Sequence, residues 1–220
     1  NGTIGTVFYV RYRPEIARND GHNLLRMATT IDEVVLPDGT HVDTASRATV
    51  FAEMIRALEH DGPLATGVSF LAVALVVIAA TASRRGTFSV LFSLLLGVVW
   101  TLGFASIFGV RLNFLNFIAL PITFGIGCEY PFNIFDRSRL LKGDITLAVK
   151  RSGGAVALCS FTTTIGYGAL LFADNQALQS FGHLAMSGEV LAITSALLVL
   201  PSLLNLWPQS RKAAEEAAKE

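Results

Sequence analysis

The chain has 220 residues, no formal net charge, 52% hydrophobic residues and a mean hydropathy of +0.53. Only 15% of residues are charged, well under the ~25% of soluble domains, and few of those charges fall between Leu64 and Asn205. Such a chain is neither a soluble globular domain nor a basic nucleic-acid binder; it is expected to be mainly α, a polytopic helical membrane bundle with a small α/β extracytoplasmic fragment at its N-terminus.

The polar piece, residues 1–62, comes first. Thr6–Tyr12 (TVFYVRY) is rich in β-branched and aromatic residues and reads as a strand with Phe8, Val10 and Tyr12 on one face. Asn19 or Asp20 can cap a helix carrying Leu24, Met27, Ala28, Ile31 and Val35 on one stripe. Pro37–Gly39 (PDG) marks a turn. A second helix follows, with Val50, Phe51, Met54, Ile55 and Leu58 at helical spacing. It is expected to stop at Asp61–Pro63, where Asp61 can cap and Pro63 can open the next helix. One strand and two helices cannot build an independent core of useful size.

Five apolar runs then reach the ~20 residues that a span requires. They are Leu64–Ala82, Thr87–Phe108, Leu112–Phe135, Ala155–Ala173 and Phe181–Trp207, which makes residues 63–207 a five-helix transmembrane domain. Arg84, Arg85, Arg137, Arg139, Lys142, Lys150 and Arg151 lie on one side, with Arg211, Lys212 and Lys219 of the tail 208–220; only Arg111 lies on the other. The positive-inside rule therefore puts the C-terminus in the cytoplasm and the N-terminal piece outside. Ser138–Arg151 mixes basic residues with Leu140, Leu141, Ile145, Leu147 and Val149, and suits a short helix on the cytoplasmic interface. The chain opens on Asn1 with no signal peptide before a piece that must cross the membrane. It is therefore expected to be the C-terminal part of a longer protein.

The third run holds a carboxylate, Glu129. A charge deep in a bilayer costs roughly 2.5–3.5 kcal/mol on insertion scales. Glu129 is six residues, ~9 Å of helix, from Phe135, too far to reach the interface. It must face other helices or a wet cavity. Asn133 at i+4 and Asp136 at i+7 share its face, Tyr130 adds a hydroxyl beside it, and Pro131 frees a carbonyl near Gly127. Gly125 and Gly127 allow a neighbouring helix to come close. Low-polarity surroundings disfavour a charged carboxyl, so such a group can gain and lose a proton; the plain structural alternative is a neutral acid bonding two helices. In the next span Ser160–Gly168 (SFTTTIGYG) is dense in hydroxyls, and Thr163 and Thr164 can reach a carboxylate on an adjoining helix or bond their own preceding carbonyls. Glu189, after Gly188 in the outer half of the last run, is a secondary intramembrane acid that can act as a local packing bond. His183 reads as interfacial and Trp100 as core. Cys128 and Cys159 read as small buried hydrophobes. No zinc, phosphate-loop or nucleophile-elbow motif is present in the sequence, so no enzyme is indicated.

At Gly125–Arg137 (GIGCEYPFNIFDR) the chain resembles the RND superfamily, and within it the MMPL-type predicted exporters, through Gly125, Gly127, Glu129, Tyr130 and Arg137. Ser152–Leu204 resembles the eleventh and twelfth spans of that group. The resemblance implies spans eight to twelve of a twelve-span transporter in a bacterial inner membrane, with residues 1–62 as the end of a periplasmic porter-type domain. It implies proton-coupled export of a hydrophobic or lipid-like substrate, with no cofactor beyond the proton-motive force. Partners would be the lipid bilayer and the missing N-terminal half, and a homo-oligomer is compatible with this arrangement. Glu129 and Tyr130 would form part of a proton relay with Asn133, and Thr163 and Thr164 would face it. Glu129 stands where that group commonly has Asp. The alternative is a non-transporting sterol- or lipid-sensing or accessory protein of the same membrane fold.

Overall fold

A computed structural model describes residues 21–32, 39, 47–110 and 113–206. The strand expected at Thr6–Tyr12, the caps Asn19 and Asp20, Arg111, Trp207 and the tail 208–220 lie outside the described residues. Within them every regular element is helical. The chain divides into two compact units, residues 1–60 and 61–220.

In the first unit helix α1 spans Gly21–Asp32 and buries Met27 and Ala28, two of the residues on the expected stripe. Gly39 takes a left-handed φ of +84° at the expected turn, a conformation that costs glycine little. The stripe expected on the second helix is corrected in part: Met54, Ile55 and Leu58 are half-buried. Small Ala52 is the fully buried residue, while Val50 and Phe51 are exposed. That helix also does not stop at Pro63: α2 runs unbroken from Arg47 to Thr81. A proline inside a helix removes one donor, and a helix of 35 residues retains its remaining rungs.

In the second unit α3 spans Arg84–Ile107, α4 Phe114–Phe117, α5 Ala119–Leu140, α6 Ile145–Ala169 and α7 Gln176–Leu206, with a 3₁₀ turn at Leu170–Phe172. The junctions have local causes. Ala82, at φ +49°, ends α2, and the Ser83 side chain accepts from the Gly86 N–H to start α3. Gly109 turns the chain after α3 at φ +62°. Lys142 and Gly143 turn it after α5, and Asp144 caps α6 by accepting from Leu147 N–H at 2.8 Å. No separate interfacial helix exists at Ser138–Arg151. Its first three residues finish α5, and those from Ile145 begin α6, where buried Ile145 and Ala148 give the apolar positions a core to join. Asn175 accepts from Ala177 N–H at 2.8 Å and opens α7.

Among the described residues four helical segments are long and apolar enough to cross a membrane: Thr49–Thr81, Arg84–Ile107, Ile145–Phe172 and Gln176–Leu206. Helix α5, the expected third span, has 22 residues but is broken up by Glu129, Asn133, Asp136 and Arg137. It begins at Ala119, seven residues after Leu112, because α4 and Ile118 take up the first part of that apolar run.

Helix α7 is the axis of the bundle, with α3, α4, α5 and α6 packed on it. Residues Ser89, Ser93, Gly97 and Thr101 recur every four positions along α3 and all are buried. They form a small-residue seam against α7. A Cβ on Gly97 would stand 3.1 Å from the Ala192 Cα. Across the seam Ser195 donates to the Ser93 carbonyl at 2.6 Å, and the two hydroxyls lie 3.2 Å apart. The core then gathers Val90, Tyr130, Ile134, Phe135, Ala192, Ala196 and Leu200. At one end the Phe135 ring covers Gly86, and Arg139 donates to the Thr81 carbonyl at 3.2 Å. By contrast, only 11% of the most apolar stretch of α2 and of α6 is buried, against 39% of α3. Cys159 is exposed on α6 rather than buried, and Cys128 is half-buried; an outward apolar side chain suits a surface that meets lipid or another helix. Trp100 is half-buried and His183 exposed.

Candidate functional site

Consecutive residues on an α-helix point about 100° apart. On α5 that rotation separates Glu129 from Tyr130: Glu129 is exposed, whereas Tyr130 is 1% exposed and faces the core. The expectation that Tyr130 lends its hydroxyl to the polar face of Glu129 is therefore corrected. The Tyr130 Oη donates a hydrogen bond to Oε1 of Glu189 on α7. Glu189 is 4% exposed. Ser160 on α6, equally buried, stands beside the pair. Three helices thus bring a carboxyl, a phenol and an alcohol together near the middle of the bundle. Helix α7 starts at Gln176 rather than Phe181, so Glu189 lies close to its centre, still on the N-terminal side of the midpoint.

Glycines set the approach of the helices here. A Cβ on Gly127 would lie 3.2 Å from Leu94 Cδ1 and 3.4 Å from Ala192 Cβ, so that glycine does admit its neighbours. Gly125 instead faces open space. A Cβ on Gly188, beside Glu189, would lie 3.3 Å from Thr101 Cγ2 and 3.4 Å from Thr123 Oγ1. Both threonine hydroxyls are engaged with their own helices: Thr101 donates to Gly97 O at 2.8 Å and Thr123 to Ala119 O at 2.7 Å. Among the described residues no cation pairs with Glu189. A buried carboxylate without a cation carries a desolvation cost of several kcal/mol, which the Tyr130 hydroxyl, with Ser160 beside it, offsets in part.

The outer face of α5 is different. Gly125, Glu129 and Asn133 are exposed at successive i+4 positions, and Asp136 is half-buried. Glu129 remains near enough to Glu189 for their charges to oppose one another. Thr163 and Thr164 are half-buried on α6. Thr163 donates to the Cys159 carbonyl at 3.1 Å, as does Thr162 at 2.8 Å. The second of the two roles open to Thr163, bonding within its own helix, is the one adopted. The inward hydroxyl of α6 is Ser160, one turn earlier. Its signal was available: Gly153, Val156 and Ser160 repeat at i+3 and i+4 and are all buried. No group of His, Cys, Asp and Glu among the described residues could hold a metal ion.

The MMPL family model matches residues 6–219. A hopanoid transporter, HpnN, of Rhodopseudomonas palustris (strain TIE-1) is 26% identical over 154 residues, a stretch covering 66% of this chain. The chain spans 18% of that relative's length.

Proposed function

This chain belongs to the MMPL family, and from that premise we propose that it is the C-terminal part of a proton-coupled RND/MMPL-type exporter of lipid-like substrates. The matched share of HpnN supports a larger whole, and the name of that relative makes a polycyclic lipid the first substrate class to try. In this reading α5 is the third of five spans in a bacterial inner membrane, residues 1–62 are periplasmic and the C-terminus is cytoplasmic. The chain is no enzyme; the driving force is the proton gradient.

The observation that carries the reading is the open polar strip at mid-helix on α5. Glu129 and Asn133 lie exposed between stretches that are otherwise apolar. In a bilayer such a strip must face protein or water, because lipid does not solvate it. It is the surface on which a second half of the transporter would supply a partner acid. Glu129 takes up and releases the coupled proton, with Asn133 one turn on along the same strip; Tyr130 joins it to the core through the backbone, and Thr163 and Thr164 stand on the adjoining helix α6.

The test is Glu129→Gln in the full-length protein, reconstituted in vesicles loaded with a hopanoid. Proton-driven efflux is lost while the protein still folds and binds the lipid. Efflux that continues unchanged would remove Glu129 from the relay. Lipid-dependent partner binding without transport would favour a sensor.

A further inference from the structure

We infer that Glu189 is a second proton-binding residue of the protein, with Tyr130 and Ser160 as the positioning residues that hold its anion. The inference rests on the proton-coupled reading above for its role in transport, but its chemistry stands on the geometry alone. Glu189 is nearly sealed from solvent, on the central helix, accepts from the Tyr130 hydroxyl of α5 and has buried Ser160 of α6 beside it.

A residue serving only as packing would more cheaply be apolar, since replacing buried polar partners by apolar groups of like shape is close to neutral. A permanently charged residue would need a cation. None is near. Tyr130 from α5 bonds to Glu189, and Ser160 and Tyr167 from α6 stand nearby; Glu129 acts on it only through its charge, from the outer face of α5. Helix α3 presents Thr101 beside Gly188, and its only charged residues, Arg84 and Arg85, are at its far start. On α7 itself His183 is exposed and lies one and a half turns before Glu189. Lys150 and Arg151 are nine or more residues from Ser160 along α6, ~13 Å or more.

The site fits a carboxyl that alternates between two states. Protonated, Glu189 is neutral and tolerates its dry surroundings. Deprotonated, it gives one proton to water or to a neighbouring acid, and its oxygens accept from the Tyr130 and Ser160 hydroxyls. No other bond changes. Because Tyr130 follows Glu129 directly, charging either carboxyl acts on the other through a single turn of α5.

The experiment is infrared difference spectroscopy of the full-length protein in nanodiscs, titrated with pH in the absence of substrate. The wild type shows two carboxyl bands that bleach as pH rises and that neither termini nor surface acids account for. Glu129→Gln removes one and Glu189→Gln the other. Glu189→Asp restores a band at a shifted frequency. Tyr130→Phe displaces the midpoint of the Glu189 band by about one pH unit, the equivalent of one hydrogen bond to a charged group. If Glu189→Gln leaves every pH-dependent carboxyl band in place, Glu189 is a fixed structural group and the inference fails. Should that variant not fold, an unmoved midpoint in Tyr130→Phe overturns the inference equally. Loss of the band with efflux indifferent to the proton gradient would keep the site and overturn the transport reading instead.

Discussion

The two sides of α5 carry nearly the same chemistry and live under opposite conditions. Inward, Tyr130 meets Glu189 and Ser160 within a sealed core; outward, Glu129 and Asn133 stand open. One helix therefore has a satisfied polar cluster and an unsatisfied one, less than a turn apart. The inner cluster is held by the same residues that hold the fold, so it cannot be altered without a stability change. The outer strip contributes little to this bundle, which leaves its residues to be chosen for something other than folding.

Substitutions separate the two sides, ranked here by their effect on thermal unfolding of the full-length protein in detergent. Ile134→Ala, inside and fully buried, is expected to cost the most, about 2–5 kcal/mol. Tyr130→Phe leaves Glu189 short of a donor and is expected to cost about 1–3 kcal/mol. Ser195→Ala breaks the link to Ser93 and is expected to cost about 0.6 kcal/mol, the average for polar contacts between membrane helices. Asn133→Ala on the outer strip is expected to stay within about 0.5 kcal/mol while lowering efflux. A cost above about 2 kcal/mol at Asn133 would erase the contrast, because it would mean that the strip is packed as tightly as the core.

Much of the architecture is legible in the sequence. A low charge fraction and long apolar runs point to a helical membrane bundle, and the i, i+4 spacing of Glu129 and Asn133 points to a shared polar face. Local rules mislead where tertiary contacts decide. Pro63 is a helix stop by its backbone chemistry, yet α2 passes through it. Leu147 and Val149 suggest an interfacial helix, but Ile145 and Ala148 anchor that stretch in the core. Tyr130 illustrates the deeper difficulty. Its inward direction follows from simple rotation along α5, but the identity of its partner depends on how α7 lies against α5, and no spacing along the chain encodes that. Thr163 has two roles open to it, and only the position of its own preceding turn settles which one it takes.

The seam between α3 and α7 has one more property. Ser89, Ser93, Gly97 and Thr101 are all small and spaced four apart, so α3 is nearly self-similar to a slide of one repeat, about 6 Å along its axis. After such a slide small residues would again oppose α7. Shape distinguishes the registers at one tooth: a slide would bring Ser93 or Thr101 to the place where a Cβ stands 3.1 Å from the Ala192 Cα, and only Gly97 fits there. The Ser195 bond does not distinguish them, since Ser89 would offer it the same hydroxyl and carbonyl; Gly97 acts as the pawl of a ratchet whose teeth are otherwise interchangeable.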